Sequence, residues 1–124
     1  MSTPVQSKEI NEDKMMQFLG KVVGDFGASL GSSLAYIGQK LGLYKALAAD
    51  GPLTSAELAQ KTNTNERYVR EWLVNQASGG YVEYDAAAGK FSLSPEQAAA
   101  LADEESPAFV GGGFYLIKAM TNAV

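Results

Sequence analysis

Residues 54–93, TSAELAQKTNTNERYVREWLVNQASGGYVEYDAAAGKFSL, decide the fold. SAELAQK at 55–61 predicts a short helix capped by Thr54 or Ser55, with Glu57 and Leu58 in its first turn. Residues 62–65, Thr-Asn-Thr-Asn, are turn chemistry, and Asn63 or Asn65 can cap the next helix. Glu66 then falls in the first turn of a helix over 65–78, where a carboxylate meets the positive end of the helix dipole. Tyr68, Val69, Trp72, Leu73 and Gln76 recur at three-four spacing and so share one helical face. Gly79-Gly80 predicts a stop through a left-handed cap. Residues 81–85 and 90–93 alternate in polarity around 86–89, which reads as a β-hairpin. Short helix, turn, longer helix and hairpin make a winged helix-turn-helix, a mainly α fold with one β-hairpin wing.

Downstream, Ser94-Pro95-Glu96-Gln97 places Pro at a first helical position inside a Ser-x-x-Gln capping box. A short helix should run from there to about Ala102, and Ser106-Pro107 should start another. The C-terminal segment carries Gly111, Gly112 and Gly113, then Phe114, Tyr115, Leu116, Ile117 and Met120. Its apolar pattern runs to the last residues with no cap or polar tail, the expectation for a chain cut before its natural end. At the other end, residues 1–13 hold only Val5 and Ile10 as large apolar groups and read as a flexible arm.

Between arm and wing, residues 14–49 have a helical pattern in two layers. Leu19, Val23, Phe26, Leu30, Leu34, Ile37, Leu41 and Tyr44 form an apolar stripe at steps of three or four. Gly20, Gly24, Gly27, Gly31, Ala35, Gly38 and Gly42 form a stripe of small residues on the adjacent face. Each interior Gly costs about 0.8–1 kcal/mol relative to Ala. Close approach of another helix offsets that cost through added dispersion contacts. The segment is either one long helix or a kinked helix pair with its break within 24–33. In both cases the chain is too short to cover this face, and a second copy is the expected cover. Gly20, Gly24, Gly27, Gly31 and Gly38 are therefore candidates for a homodimer interface.

Composition narrows the chemistry. The 124 residues are 46% apolar, enough for a core. No Cys and no His are present, which removes thiolate chemistry, the common triads and the commonest zinc ligand, so catalytic and metal residues are expected to be none. The net charge of −4 speaks against a general partner for nucleic acid or anionic membrane. Over the winged segment Lys61, Arg67, Arg70 and Lys90 face five carboxylates, Glu57, Glu66, Glu71, Glu83 and Asp85. A DNA reader needs the opposite balance where it meets phosphate. No apolar run reaches membrane-spanning length and no secretory signal is visible, so a cytoplasmic location is the default. The stretch Val23-Gly24-Asp25-Phe26-Gly27-Ala28-Ser29-Leu30-Gly31 is similar to a glycine-rich cofactor loop, but Ser29 replaces the middle glycine and no strand precedes it. Phe109, Phe114 and Tyr115 beside three glycines could be core packing or the wall of a small-molecule slot.

A resemblance gathers these pieces. Ile37-Gly38-Gln39-Lys40-Leu41-Gly42-Leu43-Tyr44-Lys45-Ala46-Leu47, Gly51-Pro52-Leu53-Thr54-Ser55-Ala56-Glu57-Leu58-Ala59 and Asn65-Glu66-Arg67-Tyr68-Val69-Arg70-Glu71-Trp72-Leu73 occur in order. Gly79-Gly80-Tyr81-Val82, Phe91-Ser92-Leu93-Ser94-Pro95-Glu96 and Ser106-Pro107-Ala108-Phe109 continue the series. Over about residues 14–117 the chain resembles the N-terminal winged-helix dimerisation domain of small-molecule S-adenosylmethionine-dependent methyltransferases, bacterial branch. The resemblance implies a dimerisation domain at 14–105 and a helix at 106–124 leading to a Rossmann-like catalytic domain absent from this chain. It further implies that Phe109, Phe114 and Tyr115 belong to a substrate lid. S-adenosylmethionine would serve the full-length enzyme; this chain alone should bind no cofactor and be inactive. The alternative is a winged-helix DNA-binding transcriptional regulator.

Overall fold

A computed structural model describes residues 9–122. The elements are α1 (Glu12–Lys40), α2 (Leu43–Asp50), α3 (Ser55–Thr62), α4 (Glu66–Ser78), β1 (Glu83–Asp85), β2 (Lys90–Ser92), α5 (Pro95–Leu101) and α6 (Gly112–Asn122). Most of the expected arm, residues 1–8, lies outside the described residues; Glu12 and Asp13 form the first turn of α1 instead. No break falls within 24–33: α1 runs through it without interruption, and the helical pattern is divided at 41–42. Gly42 takes a left-handed conformation there (φ 74°), which a β-carbon would strain.

The chain divides into two compact units, Met1–Leu30 and Gly31–Val124. The described part of the first unit is the helical run up to Leu30 and the three residues before it. Asn11 Oδ1 accepts the Lys14 N–H at 3.1 Å, which satisfies one free donor of the first turn. Lys21 and Asp25 pair at 2.9 Å one turn apart, both in solvent.

In the second unit the core is built by the winged helix. Leu43, Tyr44 and Leu47 of α2, Leu58 of α3, Val69, Trp72 and Leu73 of α4, and Val82, Phe91 and Leu101 pack as one buried cluster. Short polar signals set the ends of these helices. Thr54 Oγ1 accepts from Glu57 N–H and the Glu57 carboxylate accepts from Thr54 N–H, a closed capping box. Those bonds, the backbone one foremost, hold the Glu57 carboxyl below its ordinary value. Asn65 Oδ1 caps α4, whereas Asn63 is the left-handed residue that closes α3. Ser94 and Gln97 form the second capping box, with Pro95 at the first helical position. At the end of α4 the left-handed glycine is Gly80 (φ 82°) and not Gly79.

The wing pairs β1 with β2 antiparallel, in the register Glu83 with Ser92, Tyr84 with Phe91 and Asp85 with Lys90. Leu53 adds a single bridge to Phe91, which ties the turn before α3 to the wing. Ser106-Pro107 does not start a helix. Ser106 Oγ accepts only from the nearby Ala108 N–H, and helix resumes at Gly112.

Three side-chain bonds dock residues 34–39 of α1 and the start of α2 on the rest of this unit. The Trp72 indole N–H donates to Leu34 O at 2.8 Å. Gln39 Nε2 donates to Leu101 O at 2.7 Å. The Tyr44 hydroxyl donates to Gln76 Oε1, joining α2 to the buried amide of α4. Desolvation, with a smaller contribution from Tyr81, pushes the Tyr44 phenol well above its ordinary value.

Candidate functional site

Two apolar faces and one polar face bear on function. In the first unit, α1 exposes nearly all of its side chains. Val23 is 65% exposed and Phe26 70%, and Met16, Phe18 and Leu30 are open as well. At Gly20, Gly24 and Gly27 an added β-carbon would meet nothing within 4 Å. The same is true of Gly31, the first residue of the second unit. Among the described residues no packed neighbour therefore accounts for these four glycines, each of which weakens the helix. Gly38 differs. A β-carbon there would collide with the Trp72 and Tyr44 rings, so packing inside the chain accounts for its missing side chain. Gly38 is itself buried.

The second apolar face is α6. Tyr115 is 45% exposed, and its ring meets Tyr36 edge-on with centroids 5.2 Å apart. Lys40 and Lys118 each hold their ammonium close to the Tyr36 ring, at 5.8 and 5.9 Å from its centroid. Phe114 points the other way. It is half-buried against the core and lies 6.5 Å from the Tyr81 ring. Phe109 is half-buried against Gly111, where a β-carbon would strike both the Phe109 ring and the Gln39 amide. Tyr115 therefore faces outward and Phe114 toward the core. Leu116, Ile117 and Met120 leave α6 with an open apolar surface.

On the polar face, α4 and the wing stand where a winged helix reads DNA. Two of the three residues of β1, Glu83 and Asp85, are acidic and exposed. Arg70 Nε lies 3.7 Å from Glu66 Oε2, and Lys61 lies 3.8 Å from Asp50. Among the described residues, no group of three or more acidic, His or Cys side chains could hold a metal ion. Also among them, no helix is long and apolar enough to cross a membrane.

Residues 28–103, more than half of the chain, match the family model of the Rv2258c-like winged HTH domain. The chain belongs to this family. Solved structures with the same fold as this Rv2258c-like winged domain include three proteins, two of them methyltransferases. PigF, solved with SAH, is 18% identical with a TM-score of 0.69, over 80% of this chain and 28% of its own. The mitomycin 7-O-methyltransferase MmcR is 22% identical with a TM-score of 0.68, over 78% of this chain and 28% of its own. Human N-acetylserotonin methyltransferase, solved with SAM, is 16% identical with a TM-score of 0.69, over 95% of this chain and 33% of its own. The winged domain thus spans a third or less of the length of these proteins. No sequence among the curated proteins matches it.

Proposed function

We propose that this winged domain is the dimerisation and substrate-lid part of an S-adenosylmethionine-dependent methyltransferase whose cofactor-binding half lies outside these residues. The observation that carries the proposal is the open apolar face of α1, with three glycines before Leu30 where an added β-carbon would meet nothing within 4 Å among the described residues. A second copy supplies a matching face by symmetry. The likeness to methyltransferases supports the enzyme context, and the uncovered surface of α6 supports a further domain beyond it.

The residues present do not fit the methyl donor. The glycines of 24–31 lie inside α1, and among the described residues the only strands are the two of the wing. A cradle for the cofactor needs a strand, a tight loop and a helix N-terminus in that order. No step of methyl transfer is assigned to this chain. Its part is to pair subunits and to place Tyr115 and the α6 surface against the catalytic domain.

Sedimentation equilibrium of the chain tests the pairing. A dimer that dissociates on dilution is expected, and a monomer at every concentration overturns it. Reading the coding sequence beyond the Val124 codon tests the enzyme context. A glycine-rich loop between a strand and a helix is expected there, and a stop codon without one overturns it.

A further inference from the structure

A cleft of about 420 Å³ opens between α4 and the wing, apart from both faces used above. That volume falls in the range of small-molecule sites. Its walls derive from two periodicities. Arg70, Val74 and Ala77 step by four and three and so share one face of α4. Opposite them stand Tyr84 and Phe91, cross-strand partners in the wing, with ring centroids 4.6 Å apart and planes 36° from parallel. Val74 is 54% exposed and Tyr84 51%, so two apolar groups are left to solvent in a concave place.

One cation stands at this cleft. Glu66 is engaged from two sides: Ser55 Oγ donates to its Oε2 at 2.6 Å, and Arg70 Nε lies 3.7 Å from the same oxygen. The two Nη groups of Arg70 have no hydrogen-bond partner among the described residues. An Arg fork with free ends matches a carboxylate bidentately. Flat apolar walls with a single such fork describe a ligand with one ring system and one acid group.

We propose that the cleft binds a planar aromatic carboxylate, its rings between Val74 and Ala77 on one side and Tyr84 on the other, its acid group on Arg70. The site is independent of subunit pairing and of any methyl donor. It occupies the surface that a DNA reader would turn to the duplex, with a pocket in place of a cationic ridge.

Titration of the chain with 2-naphthoate, monitored by two-dimensional NMR, tests the proposal. Saturable shift changes centred on Arg70, Val74, Ala77 and Tyr84 are expected. The neutral isostere 2-naphthamide should bind about ten- to a hundredfold more weakly, the factor of a charge-assisted hydrogen bond. Arg70→Gln should weaken naphthoate by a similar factor and leave naphthamide unchanged. Val74→Trp fills the cleft from an exposed position and should abolish both. Equal binding of acid and amide, an unaffected Arg70→Gln variant, or shifts scattered over other surfaces each overturn the proposal. Shifts at the same residues on raising protein concentration alone would assign the cleft to a second copy and overturn it too.

Discussion

A β-carbon at position 27 would meet nothing within 4 Å among the described residues. Gly27→Leu therefore leaves the single chain unstrained and improves its helix by about 0.7 kcal/mol in propensity. The paired state responds in the opposite direction. A side chain forced into a close helix–helix contact costs about 1–3 kcal/mol. A two-fold interface contains the substitution twice, so pairing should weaken by about 2–6 kcal/mol, or roughly 30- to 20,000-fold in Kd. Sedimentation equilibrium reads the association, and far-UV circular dichroism of dilute samples reads the helix. The expected result is weaker association with helix content kept or raised. Unchanged association refutes packing along this stripe. A loss of helix at dilution refutes the premise that the position is open within one chain.

Gly38→Ala should behave unlike Gly24→Ala: the first drives a methyl into the Trp72 and Tyr44 rings and should lower the denaturation midpoint, while the second should raise helix stability by about 0.8–1 kcal/mol. Tyr44→Phe leaves Gln76 Oε1 without its donor and should destabilise the fold by about 1–3 kcal/mol in urea titrations at neutral pH. The raised phenol pKa also fixes a sign. The folded chain holds this proton more tightly than the unfolded one, so the contribution is complete below the ordinary value of 10.0 and is lost as pH rises above it. Thermal melts should fall more steeply above that pH in the wild type than in Tyr44→Phe; parallel profiles would refute the assignment. Thr54→Ala opens the capping box and should cost about 0.5–2 kcal/mol, with amide exchange rising first in the opening turn of α3.

Local chemistry made much of this fold legible. Thr54 with Glu57, Asn65, and Ser94 with Pro95 and Gln97 each satisfy donors within three residues, so the signal and its effect lie in the same few positions. The division after Lys40 was hidden because the apolar stripe keeps its phase through Leu41 and Tyr44 while the backbone turns at Gly42. Ser106-Pro107 has the residues of a helix start, but the bonds it makes close a turn instead. The glycine stripe shows the deeper limit. Gly27 and Gly38 occupy equivalent phases in the sequence, and only the rings of Trp72 and Tyr44, more than thirty residues and six residues away along the chain, make one of them an interior residue. The cleft beside α4 was invisible for the same reason: its walls are joined only when Tyr84 and Phe91 pair across the wing.

Trp72 is the only tryptophan of the chain, 4% exposed, bonded through its indole to Leu34 O and seated against Gly38. Its emission is thus an intrinsic optical gauge of one event, the seating of residues 34–38 on α4. A red shift that precedes the loss of ellipticity would time the release of that segment, with no label attached to the protein.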